Sequence, residues 1–451
     1  MRELALNHRR RVEPRWLNYT RPLLEREERW GRCLVALVQP ISGSAFPSFS
    51  RRGRGWFNPT RALTTSHIMS TTLSTAPIPT ETALLQQVAL LVKDELSCQV
   101  ESIDREGVFP RDFMRHLGEA GVYAASCPTG LGGTGLGIAP LIAAMEEVSK
   151  SCMSTGFCVW CDWVCGYYIR HGQSQFLKRE VLPQILSGER LGATGMSNPM
   201  KHFADIESLN LRARKTDGGF IVNGALPWVS NLAPDGFFAA VARVEEADDY
   251  VMFLIAGDAP GLTLGDGGQF VALEGSSTHS AILRDAFISN DWVLAHPCTD
   301  YIFRIRPGFI VGQTGFGLGV ISACLDIIER ANKRTGHVNC FLDDRADNLR
   351  ADYEELRARI FALAEQIGTG DILETPSKTL LRGCVQARLH TSQLSLRASQ
   401  AALLHAGAGG YRLGGTVDRK LRESYFVAIV TPASKHLKKM LAGMNAPKHS
   451  S

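Results

Sequence analysis

The chain of 451 residues lacks several features of membrane and secreted proteins. No run of 18 or more apolar residues is present, so no transmembrane helix is expected. The short apolar run at residues 34–38 lies among arginines and is too short for the core of a signal peptide. The eleven cysteines are scattered and odd in number, and none has the paired spacing of a zinc site. We therefore expect reduced thiols, no bound metal and a cytoplasmic protein.

Lysine is absent from the first 68 residues, and the charge of the chain is unevenly distributed. These residues contain thirteen Arg and five Glu, a net charge of +8. Residues 69–451 contain 36 basic and 40 acidic side chains, a net charge of −4. A mildly acidic body argues against binding to nucleic acid.

The basic segment has three interpretations. We favour upstream sequence from too early a start codon, with Met69 as the natural start, because Met69 opens a polar leader, MSTTLST. A transit peptide is a second interpretation and would direct the protein to the mitochondrial matrix. A basic tail that binds a partner is the third. In each case residues 1–79 are expected to lie outside the folded body, as a disordered or non-native extension.

The spacing of apolar residues predicts an α+β, multidomain fold with three regions. Residues 80–189 have the three- and four-residue spacing of helices and should form an all-α domain. Residues 190–299 alternate apolar and polar side chains between turn signals such as Asn223-Gly224, which predicts a small β-barrel or sandwich. Residues 300–445 contain four helical segments with short connections, which is typical of an antiparallel four-helix bundle.

Short motifs in this order resemble those of the acyl-CoA dehydrogenase family of flavoproteins, from about residue 80 to residue 442. They are EGVFP at 106–110, GGTGL at 132–136, EEV at 146–148, FLKREVLP at 176–183, WVSN at 228–231 and VDR…RE at 417–423. The resemblance implies FAD as the cofactor, an acyl-thioester substrate, a separate electron acceptor and a homodimer or homotetramer. It also implies that a carboxylate removes the α proton while a hydride passes from the β carbon to flavin N5.

The resemblance assigns the cofactor contacts residue by residue. The backbone and hydroxyl groups at Met196 and Ser197 would contact the isoalloxazine ring, and Trp228 would cover its edge. Arg334 resembles an arginine that binds the FAD pyrophosphate of a neighbouring subunit. The full implied set is Met196, Ser197, Trp228, Ser230, Asn231, Arg334, Gly407 and Gly410.

Each of these assignments has a simpler structural alternative. Ser197 and Ser230 could be ordinary turn or strand residues. Arg334 could be a solvated arginine near a helix end, favoured there by the helix dipole. Gly407 could be a plain helix stop.

The chain departs from the family at the catalytic base. Most members have a glutamate where this chain has Thr431, and a second group has it just before an arginine that resembles Arg306, where this chain has Ile305. A threonine hydroxyl is too weak a base at neutral pH. His405 and His436 are possible replacements, although a surface or packing role is the simpler interpretation of each.

A second departure concerns the substrate tail. The family's Gly-Ala-Gly-Ser-Asp loop is replaced by MKHFA at residues 200–204, which weakens the prediction of CoA recognition. A third pattern, the spacing of Cys158, Cys161 and Cys165 on one helix face, would suit a metal, but the apolar residues around them favour a buried helix.

Three functions therefore remain open. The first is an FAD-dependent dehydrogenase of an acyl thioester with an unrecognised base. The second is a flavin monooxygenase on the same scaffold, which takes reduced flavin from a separate reductase and activates oxygen. The third is a catalytically silent paralogue that binds flavin or a partner.

Overall fold

A computed structural model describes residues 80–245, 247–368 and 374–445. The predictions for residues 1–79 lie outside these ranges. Within them, helices, a β-sheet and further helices follow one another in the predicted order.

The first region consists of helices packed around a buried central helix. Thr80 caps the first helix, because its hydroxyl accepts a hydrogen bond from the Ala83 N–H at 3.3 Å. The helices are α1 (Glu81–Leu91), α2 (Val100–Arg105), α3 (Arg111–Glu119), α4 (Ile138–Ser151), α5 (Met153–His171) and α6 (Leu182–Leu186). Every residue of α5 except the last is buried, as expected for a helix that is apolar on all faces.

The middle region forms one eight-stranded sheet. Its strands are β1 (Gly192–Thr194), β2 (Arg212–Thr216), β3 (Gly219–Val229), β4 (Phe237–Val244), β5 (Asp249–Ala256), β6 (Leu262–Asp266), β7 (His279–Ser289) and β8 (Val293–Ala295). Their order in the sheet is β6-β7-β3-β2-β4-β5-β8, with β1 beside β4. A short helix, α7 (Ser197–His202), follows β1.

Strand β4 joins the sheet to the helices. Alternate residues of a strand point to opposite faces. Phe237 and Ala239 pack into the helical core, whereas Phe238 and Ala240 pack into the core of the sheet. Burial on both faces explains why β4 is almost uniformly apolar rather than alternating.

The last region is the helical bundle. Its helices are α8 (Thr299–Gly312), α9 (Thr314–Asn339), α10 (Ala346–Ile367), α11 (Lys378–Ala406), α12 (Thr416–Ile429) and α13 (Ser434–Asn445). The last of the four helical segments predicted from the sequence is divided into α12 and α13. Pro432 explains the division, because it has no N–H to donate and disfavours helical geometry in the residue before it.

One helical stretch, Thr299–Asn339, is long and apolar enough to cross a membrane, but 94% of its most apolar window is buried inside the protein. Such burial is typical of a core helix. Cys158, Cys161 and Cys165 are buried free thiols on α5. In the ranges described above, no group of three or more His, Cys, Asp or Glu side chains could hold a metal ion.

Candidate functional site

The loop between α12 and α13 meets the start of α7. The hydroxyl oxygens of Ser197 and Thr431 are 2.9 Å apart and share a hydrogen bond, although 234 residues separate them in the chain. Ser197 is the predicted flavin-contacting hydroxyl, and Thr431 stands at the first of the two positions where the family has its base. Two sequence-predicted positions are thus brought together, one from the sheet region and one from the bundle.

A buried polar network holds the backbone of Thr431. Gln313, between α8 and α9, donates from Nε2 to the Thr431 carbonyl at 2.9 Å. The Gln313 Oε1 accepts from Arg388 Nε at 3.1 Å. Arg388 also donates to Ser392 Oγ at 2.5 Å and to the Val427 carbonyl at 2.6 Å. Gln313, supported by the α11 side chain of Arg388, therefore holds the loop between α12 and α13 in place.

Arg388 is an unusual member of this network because its hydrogen-bond partners are neutral. It is completely buried, and burial lowers its pKa to about 9. Neither Gln313 nor Arg388 was identified from the sequence. Gln313 is a lone polar residue in an apolar stretch, which does not reveal its partner, and Arg388 lies among other polar residues and carries no such signal.

The second family position for the base is also without a carboxylate. Ile305 is fully buried in α8, and Arg306 beside it is 8% exposed. The guanidinium carbon of Arg306 lies 4.5 Å from the centroid of the Phe303 ring. Burial lowers the pKa of Arg306 to about 10.

The two histidines proposed as replacement bases have different surroundings. His405 is buried at the end of α11, and its ring nitrogens lie 3.0 Å from Asn332 Oδ1 and 2.8 Å from the Asp344 carbonyl oxygen. Both ring nitrogens of His405 are therefore occupied by hydrogen bonds within the protein, so neither is free for proton transfer with a substrate. His436 is buried in the first turn of α13, and burial, followed by the charge of Arg306, lowers its pKa to about 4.

The segment from Trp228 to Asn231 combines an exposed ring with buried anchors. Trp228 is 61% exposed at the end of β3. The Ser230 hydroxyl is 2.7 Å from the Thr278 hydroxyl. Asn231 is buried with φ at 60°, and its amide donates to the Gly192 carbonyl at 2.8 Å. Asn231 thus ties β3 to β1, which leads into α7, and its contact with the cofactor remains a prediction.

The loop after Pro199 is held by its own side chains. Asn198 donates to Glu207 Oε1 at 2.7 Å and to the Ser208 carbonyl at 2.8 Å. Lys201 forms an ion pair with Glu207 at 2.8 Å. The segment that replaces the family's glycine-rich loop is therefore a helical turn with internal partners, consistent with a changed substrate tail.

Arg334, Gly407 and Gly410 form a second, separate group. Arg334 is exposed near the end of α9, and Gly407 ends α11 with φ at 61°. The two helix ends are adjacent, because Asn339 Nδ2 donates to the His405 carbonyl at 3.2 Å. Arg334 lies 21 residues beyond Gln313, which at 1.5 Å per helical residue is about 30 Å away. Arg334 is therefore too far along α9 to contact a flavin ring beside Thr431 in the same subunit.

The residues of the first group suit a planar cofactor ring. Trp228 presents an apolar face that the described protein leaves uncovered. The hydroxyls of Ser197 and Thr431 and the buried side chain of Met196 adjoin the same junction. That Trp228 and the two hydroxyls share one flavin site remains a prediction.

Comparisons with known proteins identify similar sequences and folds. Residues 79–189 match the family model of the acyl-CoA dehydrogenase N-terminal domain. The chain is also 23% identical over 388 residues to the mitochondrial 2-methylacyl-CoA dehydrogenase of Solanum tuberosum, a match that covers 82% of this chain and 91% of that protein. These matches confirm the predicted resemblance to acyl-CoA dehydrogenases, which are flavoprotein oxidoreductases, and the predicted FAD cofactor.

Solved structures of other proteins share the fold. Butyryl-CoA dehydrogenase from Megasphaera elsdenii superposes with a TM-score of 0.71 at 18% identity, covering 80% of this chain and 97% of that one. KijD3 in complex with FMN and a dTDP-linked amino sugar superposes with a TM-score of 0.68 at 21% identity, covering 83% and 96%. At these identities the likeness shows the fold alone.

Proposed function

We propose that this protein dehydrogenates an acyl thioester at its α and β carbons. Bound FAD would accept the hydride of the β carbon at N5. The observation that most supports this proposal is the 2.9 Å hydrogen bond between Ser197 and Thr431. It joins the hydroxyl expected beside the ring to the loop expected above the substrate.

The side chains of the junction have distinct proposed roles. Trp228 covers the edge of the ring, and Met196 and Ser197 contact it. The backbone N–H of Thr431 donates to the thioester carbonyl, which stabilises the negative charge that develops there. Gln313 holds the Thr431 carbonyl and so orients that N–H.

The proposed dehydrogenation requires a base to remove the α proton, and neither family position for that base has a carboxylate in this chain. Threonine at 431 and isoleucine at 305 cannot accept a proton at neutral pH. His436 is close to this loop, but its pKa of about 4 makes it a poor base. We therefore expect slow dehydrogenation unless the substrate has an α proton more acidic than that of a simple acyl thioester.

A flavin monooxygenase is the second candidate. The absence of a carboxylate at both base positions favours it, as does the rebuilt loop at residues 200–204. Such an enzyme would need reduced flavin from a separate reductase, and oxygen. A catalytically silent flavin-binding protein is the third candidate.

One experiment separates these candidates. The purified full-length protein is examined by visible spectroscopy, then mixed anaerobically with a series of acyl-CoA thioesters. Tightly bound FAD that loses its visible absorbance on mixing supports dehydrogenation. Weak flavin binding with turnover only from supplied reduced flavin and oxygen supports the monooxygenase. Bound flavin with neither activity supports the silent protein, and no flavin binding refutes all flavin-dependent proposals.

We also propose a homodimer or homotetramer in which Arg334 contacts the FAD of a neighbouring subunit. Exposed apolar side chains surround this end of the bundle, with Phe341 85%, Tyr411 83% and Leu413 82% exposed. Such a patch is typical of a subunit interface. Light scattering of the FAD-loaded protein measures the oligomer, and a monomer would contradict the proposal.

The proposed compartment is the cytoplasm. The mitochondrial matrix is the alternative if residues 1–68 act as a transit peptide. The mass of the native protein distinguishes the two, because a start at Met69 and a cleaved transit peptide leave different N-termini.

A further inference from the structure

Strand β1 pairs with β4 on one side and with side chains on the other. Just before β1, the Leu191 carbonyl accepts from the Phe237 N–H at 2.8 Å. Just after it, the Gly195 N–H donates to the Ala239 carbonyl at 2.7 Å. Between them, the N–H and the carbonyl of Gly192 bind side chains of other elements. Since buried backbone groups need partners, these side chains take the place of a neighbouring strand.

The two side chains that bind Gly192 are Asp162 and Asn231. Asp162 lies on α5 and is completely buried, and its Oδ1 accepts from the Gly192 N–H at 2.6 Å. Asn231 follows β3, and its Nδ2 donates to the Gly192 carbonyl at 2.8 Å. The backbone N–H of Asn231 donates in turn to the Ser276 carbonyl at 2.8 Å. One residue of β1 is therefore held from both α5 and the turn after β3.

Helix α5 lies directly against β1. A Cβ atom at Gly192 would be 2.6 Å from the Cβ of Cys165 and 3.1 Å from Oδ1 of Asp162. Glycine is thus required here by close approach, because any side chain would push β1 away from the helix. The Tyr168 hydroxyl of α5 is also 3.0 Å from the Thr194 hydroxyl, at the end of the strand. The side chains of α5 therefore fix both ends of β1.

The surroundings of the Asp162 carboxyl favour a neutral acid. Its Oδ2 is buried without a hydrogen-bond partner, and no cation of the described residues forms an ion pair with it. Burial raises the pKa of Asp162 well above its usual range, although Gly192 and Tyr123 both favour the ionised form. An ionised carboxylate in this position would be costly, because no charge neutralises it.

Strand β1 leads directly into the segment predicted to contact the flavin. Gly195, Met196 and Ser197 follow it in the chain, and Ser197 begins α7. The Ser197 hydroxyl is 2.9 Å from that of Thr431. The position of β1 therefore sets where this segment meets the loop of the bundle, and a displacement of about 1 Å is enough to impair a site of this kind.

We propose that Asp162 is a positioning residue for the flavin, a neutral acid that fixes Gly192 and so sets Met196 and Ser197 against the ring. This inference rests on the proposed function, since it concerns the residues assigned to the ring in that site. Asp162 itself touches neither cofactor nor substrate in this role. Its contribution is the hydrogen bond to β1, which an uncharged amide can also accept.

Three variants of the full-length protein test this role. Asp162→Asn keeps an acceptor for the Gly192 N–H, whereas Asp162→Leu has a similar volume and no acceptor. Leu84→Ala is the control, because it removes a buried side chain of α1 and lowers stability away from β1. FAD affinity is measured by fluorescence titration, and the anchoring of residues 192–197 by amide hydrogen exchange, which needs no flavin.

We expect Asp162→Leu to weaken FAD binding at least about tenfold and to speed exchange in residues 192–197. Asp162→Asn and Leu84→Ala should each bind FAD within about twofold of wild type. If Asp162→Leu does not fold, Asp162→Ser replaces it, since its hydroxyl is too short to reach Gly192.

Unchanged FAD affinity and exchange in Asp162→Leu would overturn the proposal. Equal losses of FAD affinity in Asp162→Leu and Leu84→Ala would also overturn it, because the effect would then follow stability alone. A loss in Asp162→Asn as large as in Asp162→Leu would show that an ionised carboxylate is needed, so the neutral acid would be wrong.

The proposed reaction is judged separately, by loss of flavin absorbance with acyl thioesters. If FAD affinity follows the expected pattern but no thioester bleaches the flavin, the positioning role stands and dehydrogenation is refuted. If thioesters bleach the flavin but Asp162→Leu binds FAD like wild type, dehydrogenation stands and this inference is refuted.

Discussion

Replacement of Thr431 by glutamate tests the missing base most directly. A positioned general base contributes about 10²–10⁴-fold to a rate. The substitution removes the 2.9 Å hydrogen bond to Ser197, at a cost of about 0.5–1.5 kcal/mol. Even the upper figure is below the expected gain, because a 10²-fold faster rate corresponds to about 2.8 kcal/mol. We therefore expect Thr431→Glu to reduce its flavin about 10²-fold faster than wild type.

The assay is anaerobic single-turnover reduction of bound FAD by an acyl-CoA thioester. Thr431→Gln is the matched control, since it has the same shape without a basic carboxylate. Faster reduction in the glutamate variant alone supports the assignment of this position. If the glutamate variant binds FAD and thioester normally but is no faster than wild type or Thr431→Gln, our account of the site is wrong.

Three further predictions concern the surrounding residues. Gln313→Leu and Arg388→Met should each destabilise the protein by about 1–3 kcal/mol because each leaves a buried partner unsatisfied, and the double variant should lose less than the sum; additive losses in urea unfolding at fixed FAD would refute the network. Trp228→Ala should weaken FAD binding about twofold to tenfold, measured by fluorescence titration, and an unchanged Kd would contradict its contact with the ring. The pKa of His436 is about 4 in the folded protein and about 6.5 in the unfolded chain, so wild type should lose stability as the pH falls from about 6.5 toward 4. His436→Gln should lose less over this range, and equal losses in Tm would argue against the burial of His436.

The order of the elements followed from the sequence because periodicity reports local burial. Helical spacing and strand alternation depend on which face of an element is buried, and this is visible within a short window. Strand β4 lacks this alternation because it is buried on both faces, and its continuous apolar run indicates the strand instead. The division between α12 and α13 shows a limit, because apolar spacing continues across Pro432 and hides the break.

The site was only partly predictable. The likeness of short motifs indicated Ser197 and Thr431, but their contact joins residues 234 positions apart and depends on tertiary packing. Gln313 and Arg388 were missed for the same reason.

A crystal structure of the protein with FAD and an acyl thioester bound is the most direct test of the central claim. Our account predicts that the isoalloxazine ring lies against Trp228 and contacts Ser197. It also predicts that the thioester carbonyl lies within hydrogen-bond distance of the Thr431 N–H. An FAD ring bound elsewhere, or a thioester remote from Thr431, would contradict it.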